Sequence, residues 1–274
     1  MLKQLAAKLL RGAFRNRFVK SATSHRLSQE GLELVVSELE YLQGIGAGAG
    51  VESSGEQVIT KLLKSIEGNK IIFDVGANMG DYTDMVDRQV DQAYFHLFEP
   101  QQHLKNQLKD KYSTDGRKCV NGFALSDERG QTTIHYNEQG SGLASMTNRK
   151  LDYFDIEFDQ KENVETETLN NYCEDEEIAE IDLLKIDVEG HELQVLNGSV
   201  DMIASQSIKY ITFEFGGANI DTRTYFRDYY YFFDEYGYDI YRILPNGKLY
   251  HIDSYNELNE KFRTTNYIAV RDSI

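Results

Sequence analysis

Apolar positions change their period along this chain, and the changes mark out its parts. Near the start, Leu2, Leu5, Ala6, Leu9 and Ala13 recur at helical spacing, with basic residues on the other faces. Leu32, Val35, Leu39 and Leu42 repeat that spacing and predict a second helix. The run Gly44-Ile45-Gly46-Ala47-Gly48-Ala49-Gly50 then ends all periodicity. No strand precedes it and no Lys-Ser or Lys-Thr follows it, so it is not a phosphate loop and reads as a flexible hinge. The expected boundary falls here, between an N-terminal basic, helical extension over residues 1–50 and a domain over 51–274.

Beyond Glu56 the pattern alternates between helix and strand. Val58, Ile59, Leu62, Leu63 and Ile66 form one helical face, Ser53 and Glu56 are spaced as a capping box, and Gly68-Asn69 is the stop. Short apolar runs at 71–75, 94–98, 118–123, 181–186 and 208–215 predict strands, most of them separated by helical stretches. That alternation indicates a parallel sheet covered on both faces. The stretch 128–168 instead reads as an insertion of loops and short strands, at 132–136 and 164–169. In the tail, 239–244, a Pro245-Asn246-Gly247 turn, 248–251 and 266–270 look antiparallel. Phe226, Tyr229, Tyr230 and Phe233 follow helical spacing and read as a core stripe rather than a sugar-stacking platform.

Composition narrows the class. Of 274 residues, 41% are hydrophobic, enough for a sizeable core. Residues 1–29 carry seven Lys or Arg and no acid, so the net charge of −16 leaves −23 on the remainder. Such a body repels a phosphate backbone and disfavours nucleic acid as a partner. The basic first helix has two readings, a peripheral contact with an anionic membrane through residues 1–29 or a helix packed on protein. Cys119 and Cys173 form neither a zinc signature nor a disulfide framework. No apolar run approaches the roughly 18 residues that span a bilayer, and a cytoplasmic protein is expected.

The chemistry concentrates where the first strand ends. Phe73-Asp74-Val75-Gly76-Ala77-Asn78-Met79-Gly80 runs from a buried strand into a glycine-bearing turn, which lets the backbone approach a ligand closely. Glu99, followed by Pro100, ends the next strand 19 residues after Gly80, about the distance at which an acid reaches ribose hydroxyls. Two adenosine cofactors suit this pairing. A nicotinamide cofactor normally accompanies a Tyr-x-x-x-Lys pair in short-chain dehydrogenases, and none of the 18 tyrosines has Lys four residues on. Asp74 would also attract the ammonium of a sulfonium cofactor, S-adenosyl-L-methionine.

With further blocks added, the chain resembles the FkbM-type methyltransferase family. The likeness rests on 73–80, Phe98-Glu99-Pro100, Ala124-Leu125-Ser126-Asp127, Ser145-Met146, Thr168-Leu169-Asn170, Phe213-Glu214 and Gly237-Tyr238. Most specific is Leu184-Lys185-Ile186-Asp187-Val188-Glu189-Gly190-His191-Glu192. Asn170 and His191 depart from the usual Asp and Ala. The resemblance implies a class I methyltransferase fold, Rossmann-like α/β with a seven-stranded, mostly parallel sheet and helices on both faces. It implies S-adenosyl-L-methionine as donor and a small-molecule or glycan acceptor, usually methylated on oxygen. By motif match, Gly76, Ala77, Asn78 and Gly80 would line the methionine end, Glu99 and Pro100 the ribose, and Phe123 and Ala124 the adenine.

A hydroxyl acceptor must lose its proton near the transition state. Asp187, Glu189 and His191 end the fourth strand and are the candidate catalytic residues, with Glu214 as a fallback base. Each has a plainer role: Asp187 as partner of the methionine ammonium, Glu189 as a helix cap, His191 as a surface residue. Their spacing is no recognised metal motif, and no metal is expected. Two other classes stay open at this point, an NAD(P)-dependent Rossmann oxidoreductase and a non-catalytic cofactor-binding scaffold.

Overall fold

The computed structural model describes residues 2–15, 19, 23–50 and 53–272. It divides into two compact units, up to Gln43 and from Gly44 onward. The first holds α1 (Leu2–Phe14) and α2 (Arg26–Leu42), the two helices expected from apolar spacing. The side chains of Leu2, Leu5 and Ala6 lie outside the described residues. Leu9 is exposed, and α2 has no buried residue.

The second unit runs through α3 (Val58–Lys64), β1 (Lys70–Val75), α4 (Asp81–Asp87), β2 (Ala93–Phe98), α5 (Gln102–Lys111), β3 (Lys118–Asn121), β4 (Ala124–Leu125) and β5 (Gly130–Tyr136). It continues with β6 (Gln160–Glu167), α6 (Leu169–Asp175), β7 (Ile181–Ile186), α7 (Glu192–Asn197), α8 (Val200–Ala204) and β8 (Ile208–Phe215). Last come α9 (Ala218–Thr222), α10 (Phe226–Glu235), β9 (Asp239–Ile243), β10 (Leu249–His251) and β11 (Thr265–Val270).

The main sheet has the order β10-β9-β11-β8-β7-β1-β2-β3. The five strands from β8 to β3 are parallel, and β11 returns antiparallel between β8 and β9. The mostly parallel α/β architecture is the one expected, but the sheet has eight strands rather than seven. The additional edge strand is β10, which the Pro245-Asn246-Gly247 turn folds antiparallel onto β9. The insertion forms its own three-stranded sheet, β4-β6-β5.

Alternation along each central strand feeds two cores. Ile72, Phe95, Leu97 and Leu183 pack with α3, α4 and α5 on one face. Phe73, Phe98, Leu184 and Ile186 pack with α6, α7 and α10 on the other. The stripe on α10 belongs to the second core, as its spacing predicted: Phe226, Tyr229 and Phe233 are fully buried. Phe213 of β8 stacks on Tyr229, Phe233 and Tyr267, with ring centroids 5.0, 5.3 and 5.5 Å away.

Two local expectations are corrected. Residues 44–50 are not a free hinge but part of the domain. Ile45 and Ala47 are buried, and the Gly48 amide donates to the Thr264 carbonyl. Gly44 sits at φ 87° with no room for a side chain, since a Cβ would meet the Ile243 carbonyl oxygen at 2.3 Å. Nor do Ser53 and Glu56 form a capping box. The helix starts at Val58, Ser53 Oγ donates to the Ala49 carbonyl, and Ser54 Oγ donates to the Glu56 carboxylate.

Truncating a fully buried aromatic leaves a void and removes transfer energy together. Phe213→Ala is therefore expected to lower unfolding stability by about 3–5 kcal/mol, read from urea denaturation midpoints.

Candidate active site

The sheet order reverses between β1 and β7, where ligands bind in open α/β folds. The turn after β1 is shaped by backbone that few side chains tolerate. Gly76, Asn78 and Gly80 have φ of 81°, 48° and 80°. A Cβ on Gly76 would lie 1.9 Å from the Asp187 carbonyl oxygen, so the tips of β1 and β7 touch only because residue 76 has none.

Glu99 sits directly across this turn. Its two carboxylate oxygens accept from the Asn78 and Gln101 amides, each at 2.9 Å, and the residue is 3% exposed. Burial pushes its carboxyl up to about 7, opposed by those two amide hydrogen bonds. Beside it lies an apolar recess lined by Phe98, Ala124, Leu125, Ile134 and Met146, with Pro100, Gln101 and Ser141 at its polar edge. The loop over 141–146 closes that recess. Gln101 Nε2 donates to the Ser141 carbonyl at 3.2 Å, and Ser145 Oγ donates to the Glu189 carbonyl at 2.7 Å.

A larger cleft of about 1050 Å³ opens from the same turn. Asp187 and Glu189 line both cavities, and Glu214 at the end of β8 lines the cleft. Tyr153, Phe154 and Phe262 stand around it. Glu189 is held in the left-handed region at φ 53° and pairs with the Arg149 guanidinium, which also lies 3.5 Å from Asp221. Burial, then the neighbouring Asp187, push the Glu189 carboxyl up to about 8 despite that cation. Glu192 fixes the turn from below, accepting from the Val188 and Gly190 amides and from the Tyr229 hydroxyl.

Most expected cofactor residues converge here: Gly76, Ala77, Asn78, Glu99, Pro100, Ala124 and Asp187 all line one cavity or the other. Gly80 caps α4 immediately behind the turn. Three expectations land elsewhere. Asp74 is fully buried and lines neither cavity, because Thr83 Oγ1 donates to it at 2.7 Å and Lys185 Nζ lies 3.2 Å away. Phe123 packs edge-on against Phe98 in the core, leaving the recess to Ala124. His191 lines neither cavity: its Nε2 meets Ser126 Oγ at 3.1 Å, and burial lowers its pKa. Among the described residues, no group of three or more His, Cys, Asp or Glu is arranged to hold a metal ion.

Sequence reading missed Arg149, the 141–146 lid and Glu56. Gly140 and Gly142 were a usable signal for the lid, since a Cβ on Gly142 would press on the Asn78 amide at 3.0 Å. Arg149 left no local signal, its partners Glu189 and Asp221 being far along the chain, and Glu56 reads locally only as a helix-start residue beside Ser54.

Comparison with known proteins fits this geometry. Residues 74–240 match the model of the methyltransferase FkbM domain. The 2-O-methyltransferase NoeI of Sinorhizobium fredii is 22% identical over 196 residues, which cover 68% of this chain and 79% of that protein. The hexuronic acid methyltransferase AglP of Haloferax volcanii is 26% identical over 162 residues, 58% of this chain and 62% of its own length. Among solved structures, a precorrin-6y C5,15-methyltransferase from Geobacter metallireducens superposes with a TM-score of 0.41 and 8% identity, over 84% of this chain and 98% of that one. With its glycine turn, Glu99 and Lys-Ile-Asp-Val-Glu-Gly strand end inside the matched segment, this chain belongs to the FkbM methyltransferase family.

Proposed function

We propose that this chain binds S-adenosylmethionine at the β1–β7 junction and transfers its methyl group to a hydroxyl oxygen of a sugar or other small hydroxylated molecule. One observation carries the reading: a turn whose Gly76 has no room for a side chain, a buried Glu99 and three strand-end carboxylates line two cavities that share Asp187 and Glu189. The apolar recess beside Glu99 suits an adenine, Glu99 faces the ribose position, and Asp187, which lines both cavities beside the glycine turn, suits a methionine ammonium. A carboxylate-rich cleft suits a donor bearing positive charge on sulfur and nitrogen.

The bound cofactor supplies a methyl group already activated on sulfur. The chain's own task is alignment and proton removal. Asp187, Glu189 and Glu214 ring the acceptor side, so the proton acceptor is drawn from these three, and His191 is too remote to serve. The two relatives, a 2-O-methyltransferase and a hexuronic acid methyltransferase, support an oxygen acceptor on a sugar.

Titrating S-adenosylmethionine into folded protein is expected to give a saturable heat, and its absence, or stabilisation by NADH instead, would reject the donor. Glu99→Gln should weaken that binding about 10- to 100-fold, the worth of a hydrogen bond to a charged group, with the circular dichroism spectrum unchanged. An unaltered dissociation constant would remove Glu99 from the ribose role. In a tritium-methyl assay across glycans, the product should be an alkali-stable ether. An alkali-labile product would identify a carboxylate as the acceptor.

A further inference from the structure

A second chamber lies beneath the cleft floor. It measures about 10 Å³ and is lined by Glu56, Lys185, Asp187, Thr212, Glu214 and Asn266. That is on the order of the room one water centre needs. Glu56 precedes the segment that matches the family and comes from the loop leading into α3, yet its carboxylate reaches this chamber beside the ends of β7 and β8.

Two features set the chamber apart from an ordinary acidic patch. The hydroxyls of Thr212 and Tyr82 are buried, each residue being 4% exposed. Tyr82 lines the cleft and Thr212 the chamber; the two hydroxyls lie close enough to influence each other, without a well-formed hydrogen bond to any group. Acids also crowd the chamber. Lys185 is the cation that Glu56, Asp74 and Asp187 all face, and Glu214 adds a further acid that faces Glu56, Asp187, Glu189 and Glu192. Arg149 is committed to Glu189 and Asp221. Carboxylates crowded into a poorly solvated space keep protons, and neighbouring pairs keep them jointly.

We propose that Glu56 and Glu214 share one proton across this chamber, and that the pair is the proton acceptor for the hydroxyl to be methylated. The inference rests on the donor and acceptor reading above. Burial, the largest influence on both groups, lifts Glu56 to about 7 and Glu214 well above the usual carboxylate range. In the free protein the pair therefore retains its proton at neutral pH. Positive charge entering the cleft displaces that proton to solvent and leaves Glu214 ionised toward the acceptor. During transfer the acceptor oxygen bonds to the methyl carbon, the carbon–sulfur electron pair returns to sulfur, and the hydroxyl proton passes to Glu214. The pair then holds a proton again, and each cycle releases one.

Calorimetry at pH 7 in two buffers of different ionisation heat counts the protons released on binding. S-adenosylmethionine should release more than S-adenosylhomocysteine, because only the first carries the sulfonium charge. Other cleft carboxyls, Glu189 among them, add to the excess, so the pair's share is the part that the variants lose. The excess should fall in Glu56→Gln and in Glu214→Gln, and Glu56→Asp should restore part of it. An equal excess in wild type and both variants overturns the proposal.

A second arm needs no ligand. A carboxyl raised from 4.5 to about 7 in the folded state costs stability as pH rises through that window. Glu56→Gln should flatten this fall and exceed wild type in stability at pH 8. Parallel loss in the two proteins overturns the shared proton. Absence of heat with either ligand rejects the donor reading instead, and the stability arm then tests the raised Glu56 carboxyl by itself.

Discussion

One buried ammonium ties the two halves of the site together. Lys185 Nζ lies 3.2 Å from Asp74, 3.4 Å from Asp187 and 3.4 Å from the Gly76 carbonyl, with the Tyr82 ring centroid 5.2 Å away. Its neighbours come from β1, from the turn after it and from the end of β7. Acids on every side hold the ammonium in its charged form against the cost of burial. The same arrangement explains why Asp74 lines neither cavity: its carboxylate is engaged within the fold. Asp187 lines both, with its side chain 42% exposed.

How much of this the sequence revealed follows from the range of each interaction. Strand positions were legible because buried runs such as 71–75 and 181–186 carry their own signal, and parallel order followed from alternation with helices. The glycine turn and Glu99 were legible because both belong to adjacent β–α units at near-fixed spacing. The strand β10 was visible as an antiparallel element, but its joining the main sheet depended on how tightly residues 245–247 turn.

The rest depended on contacts that no local pattern encodes. Residues 44–50 have hinge-like composition, yet they are small so that backbone can lie against Ile243 and Thr264. His191 sits in the most specific motif of the chain, but in the left-handed turn over Glu189 and Gly190 its ring reaches Ser126 instead of the cleft. Arg149 reaches back to the same turn from the insertion, and Ser145 holds its backbone. The insertion is therefore the wall that gives the acid cluster its cation and the recess its cover.

The contact between residue 76 and the Asp187 carbonyl has a mechanical corollary. Adding a single methyl at position 76 would have to prise two neighbouring strands apart, and their paired carbonyls and amides would resist. The glycine turn and the end of β7 thus form a single rigid piece. A reaction aligned across this contact would tolerate little misplacement, and only synonymous change at that codon would leave the two strand tips touching.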